Sequence, residues 1–81
     1  MPATVTLSST TLKTAAGASD TSVQVSSVSG LVPGLRLFVD GELMAVTSLG
    51  LGTWVNVRRG VDGSAAAAHP AMASVFIGRA D

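Results

Sequence analysis

Apolar and polar residues alternate with a period of two through most of this chain, and glycine, proline and aspartate interrupt the alternation at short intervals. That period places successive side chains on opposite faces of a β-strand. Thr21 to Ser26 turns Val23 and Val25 to one face and Ser22, Gln24 and Ser26 to the other. Leu35 to Asp40 and Glu42 to Leu49 are two longer runs on either side of Asp40-Gly41. Asp-Gly between alternating apolar residues is a strong hairpin signal, because both central residues of a type I′ turn need positive φ. A two-residue loop there pairs Val39 with Glu42, Phe38 with Leu43, Leu37 with Met44 and Leu35 with Val46. Leu35, Leu37, Val39, Met44 and Val46 then form the core face. Arg36, Phe38, Leu43, Ala45 and Thr47 form the opposite one. Thr53 to Arg59 sets Val55 and Val57 against Trp54, Asn56 and Arg58, and Met72 to Arg79 sets Ala73, Val75 and Ile77 against Ser74 and Phe76.

Turn residues separate these runs. Pro33-Gly34 fits the centre of a type II turn. Asp62-Gly63 repeats the hairpin signal directly after the fourth run, and it opens a loop through Ala65–Ala68 that Pro70 keeps from becoming a helix. The alanines read either as a flexible loop or as a segment whose small side chains let another chain approach. Residues 1–20 are rich in Thr, Ser and Ala, and Val5, Leu7 and Leu12 carry their apolar bulk. They read as an N-terminal arm and first strand region ahead of a β domain over 21–81. Residues 1–12 are expected to lie outside the core, with Val5 and Leu7 alternating with threonines as in an added strand. The fold expected is all-β: a small barrel or compact sandwich of five to six short antiparallel strands with an extended N-terminal arm. Phe38, Trp54 and Phe76 all fall on the register opposite the aliphatic one. Outward aromatics of that kind anchor contacts in an assembly. Trp54 can equally cap one end of the barrel or stack on a ligand.

Composition narrows the function. Eighty-one residues make one domain near the lower size limit for an unaided core. There is no cysteine to staple it, which points to an oligomer or an assembled state. Five basic and five acidic residues leave no net charge and no basic footprint for nucleic acid. Low charge with high apolarity implies surface covered by a partner. No apolar run approaches the ~18 residues of a membrane span, and the N-terminus lacks the basic and apolar regions of a signal peptide. A protein made in a cytoplasm, which stays there or leaves inside an assembly, is the expectation.

Catalytic equipment is not visible. Asp40 and Asp62 precede glycine, where aspartate serves turn geometry. Glu42 is expected to be solvated or paired with an arginine, and Arg58-Arg59 to be a solvated strand end. His69, the single histidine, reads as a backbone hydrogen-bonding or exposed loop residue, and cannot build a metal site alone. No nucleophile elbow, phosphate loop or dinucleotide glycine pattern occurs. The expectation is a protein that is not an enzyme and uses no cofactor or metal.

The stretch Val39–Val46, VDGELMAV, followed by Arg59–His69, RGVDGSAAAAH, resembles small virion proteins and domains of tailed bacteriophages. In that family a VDGE hairpin precedes an RG-x-DG-[ST] turn that ends in histidine. The resemblance covers most of the chain, and the matched positions are turn and packing residues, so it carries over no catalytic residue. It implies a structural role in the virion. For a chain that is little more than this domain, the implied role is capsid decoration, or cement. The partners are then the major capsid protein and further copies of the chain, most simply as a trimer, with no nucleic acid and no membrane involved. The interface residues expected are Val5, Leu7, Phe38, Leu43, Trp54 and Phe76, and the structural turns Asp40, Gly41, Asp62 and Gly63. A tail, baseplate or head–tail connector component is the alternative within this class. A host-surface carbohydrate-binding module using Trp54 and Asp62 is the alternative outside it.

Overall fold

The computed structural model describes residues 8–78. Six strands fill it: β1 (Ser8–Thr11), β2 (Ser22–Gln24), β3 (Arg36–Val39), β4 (Glu42–Leu49), β5 (Trp54–Arg58) and β6 (Ser74–Gly78). They form one antiparallel sheet in the order β1-β6-β3-β4-β5-β2. The fold is all-β, as the alternation predicts. The sheet curls into a half-barrel, and its outermost strands meet where Leu12 bridges Val25. There the Lys13 N–H donates to Gln24 O at 2.8 Å and the Ser26 N–H to Thr11 O at 2.9 Å. That contact seals part of what would otherwise be two open edges.

The central hairpin has the predicted register. Val39 faces Glu42, Phe38 faces Leu43, and Leu37 faces Met44. The Val46 N–H donates to Leu35 O at 2.9 Å, extending the pairing by one step. Asp40 and Gly41 have φ of 46° and 84°, and Asp62 and Gly63 of 56° and 84°, so both Asp-Gly pairs are left-handed turns. The Pro33-Gly34 turn also forms: Gly34 has φ of 98° and the Leu35 N–H points to Val32 O at 3.4 Å.

Leu37, Val39, Met44, Val46, Val55, Val57, Val75 and Ile77 line the concave face and are buried, joined by Val23, Val25 and Leu31. Leu12 is in the same cluster with no exposed surface, and Ala16 is buried beside it. This corrects, for residues 8–12, the expectation that residues 1–12 stand outside the core. β1 is a full member of the sheet, pairing Ser9 with Phe76 and Thr10 with Val75. The polar composition misleads because β1 needs only backbone bonds to β6 while Leu12 alone supplies the apolar anchor. Val5 and Leu7 lie outside the described residues.

Candidate functional site

The alternation that builds the core also carries two charged residues into it. Glu42 shares the inward parity of Met44 and Val46, and Arg59 that of Val55 and Val57. Glu42 is 1% exposed. Arg59 makes a fork against it, donating from Nε to Oε2 at 2.7 Å and from Nη2 to Oε1 at 2.9 Å. His69, also buried, donates from Nε2 to Glu42 Oε1 at 2.7 Å, while its Nδ1 lies 3.4 Å from Asp40 Oδ2. The Gly60 and Ala67 N–H groups complete the carboxylate's shell at 3.0 and 3.1 Å.

Arg59 has further acceptors in the backbone. Its Nη1 donates to Gly17 O at 2.6 Å and Asp20 O at 2.8 Å, and its Nη2 to Ala67 O at 2.6 Å. His69 also exchanges two backbone hydrogen bonds with Ala16, at 2.8 and 2.9 Å. The network therefore ties the start of β4, the end of β5, the alanine loop and the 16–20 segment to one carboxylate. Gly60 is required at its centre: its φ is +58°, and a Cβ there would sit 2.9 Å from Ala66 N. The alanine tract is tied down through its backbone at Ala66 and Ala67, and its side chains are exposed.

Burial pushes the Glu42 carboxyl up. The hydrogen bonds from Arg59, His69, Ala67 and Gly60 outweigh it and hold the group at about 2. The Arg59 guanidinium is correspondingly raised by its bonds to Glu42. A carboxylate held this low and this enclosed stays ionised through the neutral range and clamps the groups bonded to it. Because its folded value is depressed, its stabilisation is complete above its ordinary 4.5 and disappears as pH falls from there toward 2. The loss expected over that window is about 3 kcal/mol. Thermal melts between pH 6 and pH 2.5 should show a steep fall beginning below pH 4.5, which Glu42→Gln should lack.

One expectation about a single residue is corrected here: Arg59 is not a solvated strand end. Of the two readings open for Glu42, pairing with an arginine holds and solvation does not. Of the two open for His69, backbone hydrogen bonding holds and an exposed loop position does not. The signal lay in parity: both Glu42 and Arg59 continue the inward rows. Asp62 forms its turn and bonds Arg36 Nε at 2.9 Å on the surface.

The convex face carries the aromatics, as the register predicts. Phe38 is 44% exposed, Trp54 39% and Phe76 47%. Phe38 lies directly between Phe76 on β6 and Leu43 on β4, so these three form one apolar strip. Trp54 stands apart. It lies opposite Gln24 on β2, and its carbonyl accepts the Gly50 N–H at the far end of β4. The span from Leu43 to Gly50 is roughly 23 Å at ~3.3 Å per residue. The expected interface set therefore divides in two. Among the described residues no group of three or more His, Cys, Asp or Glu side chains is placed to hold a metal ion, and no helix is long and apolar enough to cross a membrane.

In comparison with known proteins, no family model matches the sequence and no curated protein is significantly similar to it.

Proposed function

We propose that this chain is a virion structural protein of a tailed bacteriophage, and that it decorates the capsid by binding the head surface and bridging capsomers. The observation that carries the reading is the Phe38–Phe76–Leu43 strip. It is a contiguous apolar surface on the convex side of a scaffold whose buried charges are consumed in the Glu42 clamp. Such a strip has the aromatic, charge-poor character of an interface centre. The resemblance of VDGELMAV and RGVDGSAAAAH to virion proteins supports the same reading, and the clamp supplies the reason for that pattern. The glutamate, arginine and histidine of the two motifs are its three charged or polar members.

In this reading the partners are the major capsid protein and further copies of the chain, as a trimer, and the site of action is the outer surface of the head. Small contacts repeated over a shell add through multivalency. With β1 and Leu12 belonging to the barrel, only the residues before Ser8 remain as candidates for a bridging arm. Sedimentation of the purified protein with expanded capsids tests the proposal. Wild type should pellet with shells, and Phe38→Ser together with Phe76→Ser should weaken attachment by roughly thirtyfold or more, the scale of losing an aromatic anchor worth ≥ 2 kcal/mol. Binding to tails and never to shells would transfer the reading to a tail, baseplate or connector component.

A further inference from the structure

Trp54, Asn56 and Arg58 form the outward row of β5, and with their cross-strand neighbours they make a second surface that adjoins the Phe38–Phe76 strip at its Arg58 end, through Ala45, and leaves it at Trp54. Trp54 sits between Gln24 and Gly50, so its partner on the β4 side carries no side chain, and it is 39% exposed. The Asn56 amide is fixed between two hydroxyls: Oδ1 accepts from Ser22 Oγ at 2.6 Å and Nδ2 donates to Ser48 Oγ at 2.9 Å. Arg58 faces Ala45, and Arg36 faces Ala45 from the other side, so two guanidinium side chains flank one methyl group. Arg36 is neutralised by Asp62, whereas Arg58 makes no ion pair among the described residues. The row therefore reads, in order, as a partly exposed aromatic, a pre-ordered amide and hydroxyl cluster, and a cation with no ion pair among the described residues.

We propose that this row binds an anionic oligosaccharide. A pyranose ring has an apolar C–H face and a rim of hydroxyls. The first fits the Trp54 indole and the second fits the hydroxyls and amides of Ser22, Gln24, Ser48 and Asn56. An acidic substituent further along the same chain meets Arg58. Trp54 and Arg58 are four residues apart on one strand, about 13 Å at ~3.3 Å per residue, which is longer than one sugar ring. The ligand is therefore a short chain lying along β5. Charge complementarity selects an acidic one, because the row presents Arg58 with no ion pair among the described residues, while the nearest other arginine, Arg36 on β3, is already paired with Asp62. An extended peptide fits less well: β5 is flanked by β4 and β2 on its two sides, so it offers no strand edge to add to. Nucleic acid would need more cations than this row supplies.

The test is an array of acidic and neutral oligosaccharides that includes oligogalacturonates, sialylated glycans and neutral glucans. Titration of the full chain with the captured glycan, followed by tryptophan fluorescence, gives the affinity. Capture confined to acidic glycans is expected, with affinity falling as salt rises. In a titration read by calorimetry, Trp54→Ala and Arg58→Gln should each lower affinity by roughly tenfold. Both positions are exposed, and unchanged thermal melts would show that neither variant has lost its fold. Phe38→Ser should bind the glycan normally, and Trp54→Ala should still pellet with capsids, which separates this site from the capsid reading. The proposal is overturned if no acidic glycan is captured, if neutral chains bind equally well, or if both variants bind as wild type does.

Discussion

Glu42→Gln should destabilise the protein by about 3–5 kcal/mol, the range for removing one partner of a buried ion pair. The amide keeps the shape of the carboxylate but cannot accept from Arg59 Nε and Nη2, His69 Nε2 and two backbone N–H groups at once with a full charge. Arg59 would be left cationic and enclosed without its paired carboxylate, with Asp20 as a weaker, unbonded counter-charge. Domains of this kind have only about 5–15 kcal/mol of stability in total, so the variant should sit at the edge of folding. Urea denaturation measures the effect, and Arg58→Gln, one residue from the clamp but on the exposed face, should stay within about 0.5 kcal/mol of wild type. Equal stability of wild type and Glu42→Gln would mean that the clamp is not what closes the loops.

The second large effect is expected at Leu12→Ala. Leu12 has no exposed surface, its N–H donates to Ala73 O, its carbonyl accepts the Met72 N–H, and it bridges Val25 across the seam. Truncating it should cost about 2–5 kcal/mol through lost burial and the cavity left behind. Removing residues 2–12 altogether should unfold the barrel, because it deletes β1 as well. Denaturation midpoints and amide exchange at Val25 and Ala73 would report the change. Cooperative unfolding at the wild-type midpoint after either alteration would restore the view that this segment is a dispensable arm.

These two residues also mark where the sequence could be read and where it could not. The β3–β4 hairpin was legible to the residue, because Asp-Gly fixes the turn and the alternation fixes the register. The outward placement of Phe38, Trp54 and Phe76 follows from the same parity. Leu12 was hidden because it is a single apolar residue in a Ser/Thr-rich stretch, and its burial depends on contacts with residues 25 and 73 that no local pattern reveals. Glu42 and Arg59 were legible as inward positions, yet a charge on an inward parity reads as a strand end until a partner is in view. Their pairing needs the chain to return at Gly60 and Ala67, which is a property of the folded loop. His69 joins from further still, placed by its backbone bonds to Ala16. The division between the Phe38–Phe76 strip and Trp54 needed the strand order, since parity alone puts all three aromatics on one face without saying how far apart they lie.

The most direct measurement on the central proposal is a cryo-electron microscopy reconstruction of expanded phage heads incubated with the purified protein. Ordered density for the half-barrel on the outer shell, with Phe38, Phe76 and Leu43 buried against a capsomer or a neighbouring copy, is the predicted result. Bare shells at saturating protein, or density in which that strip faces solvent, would contradict it.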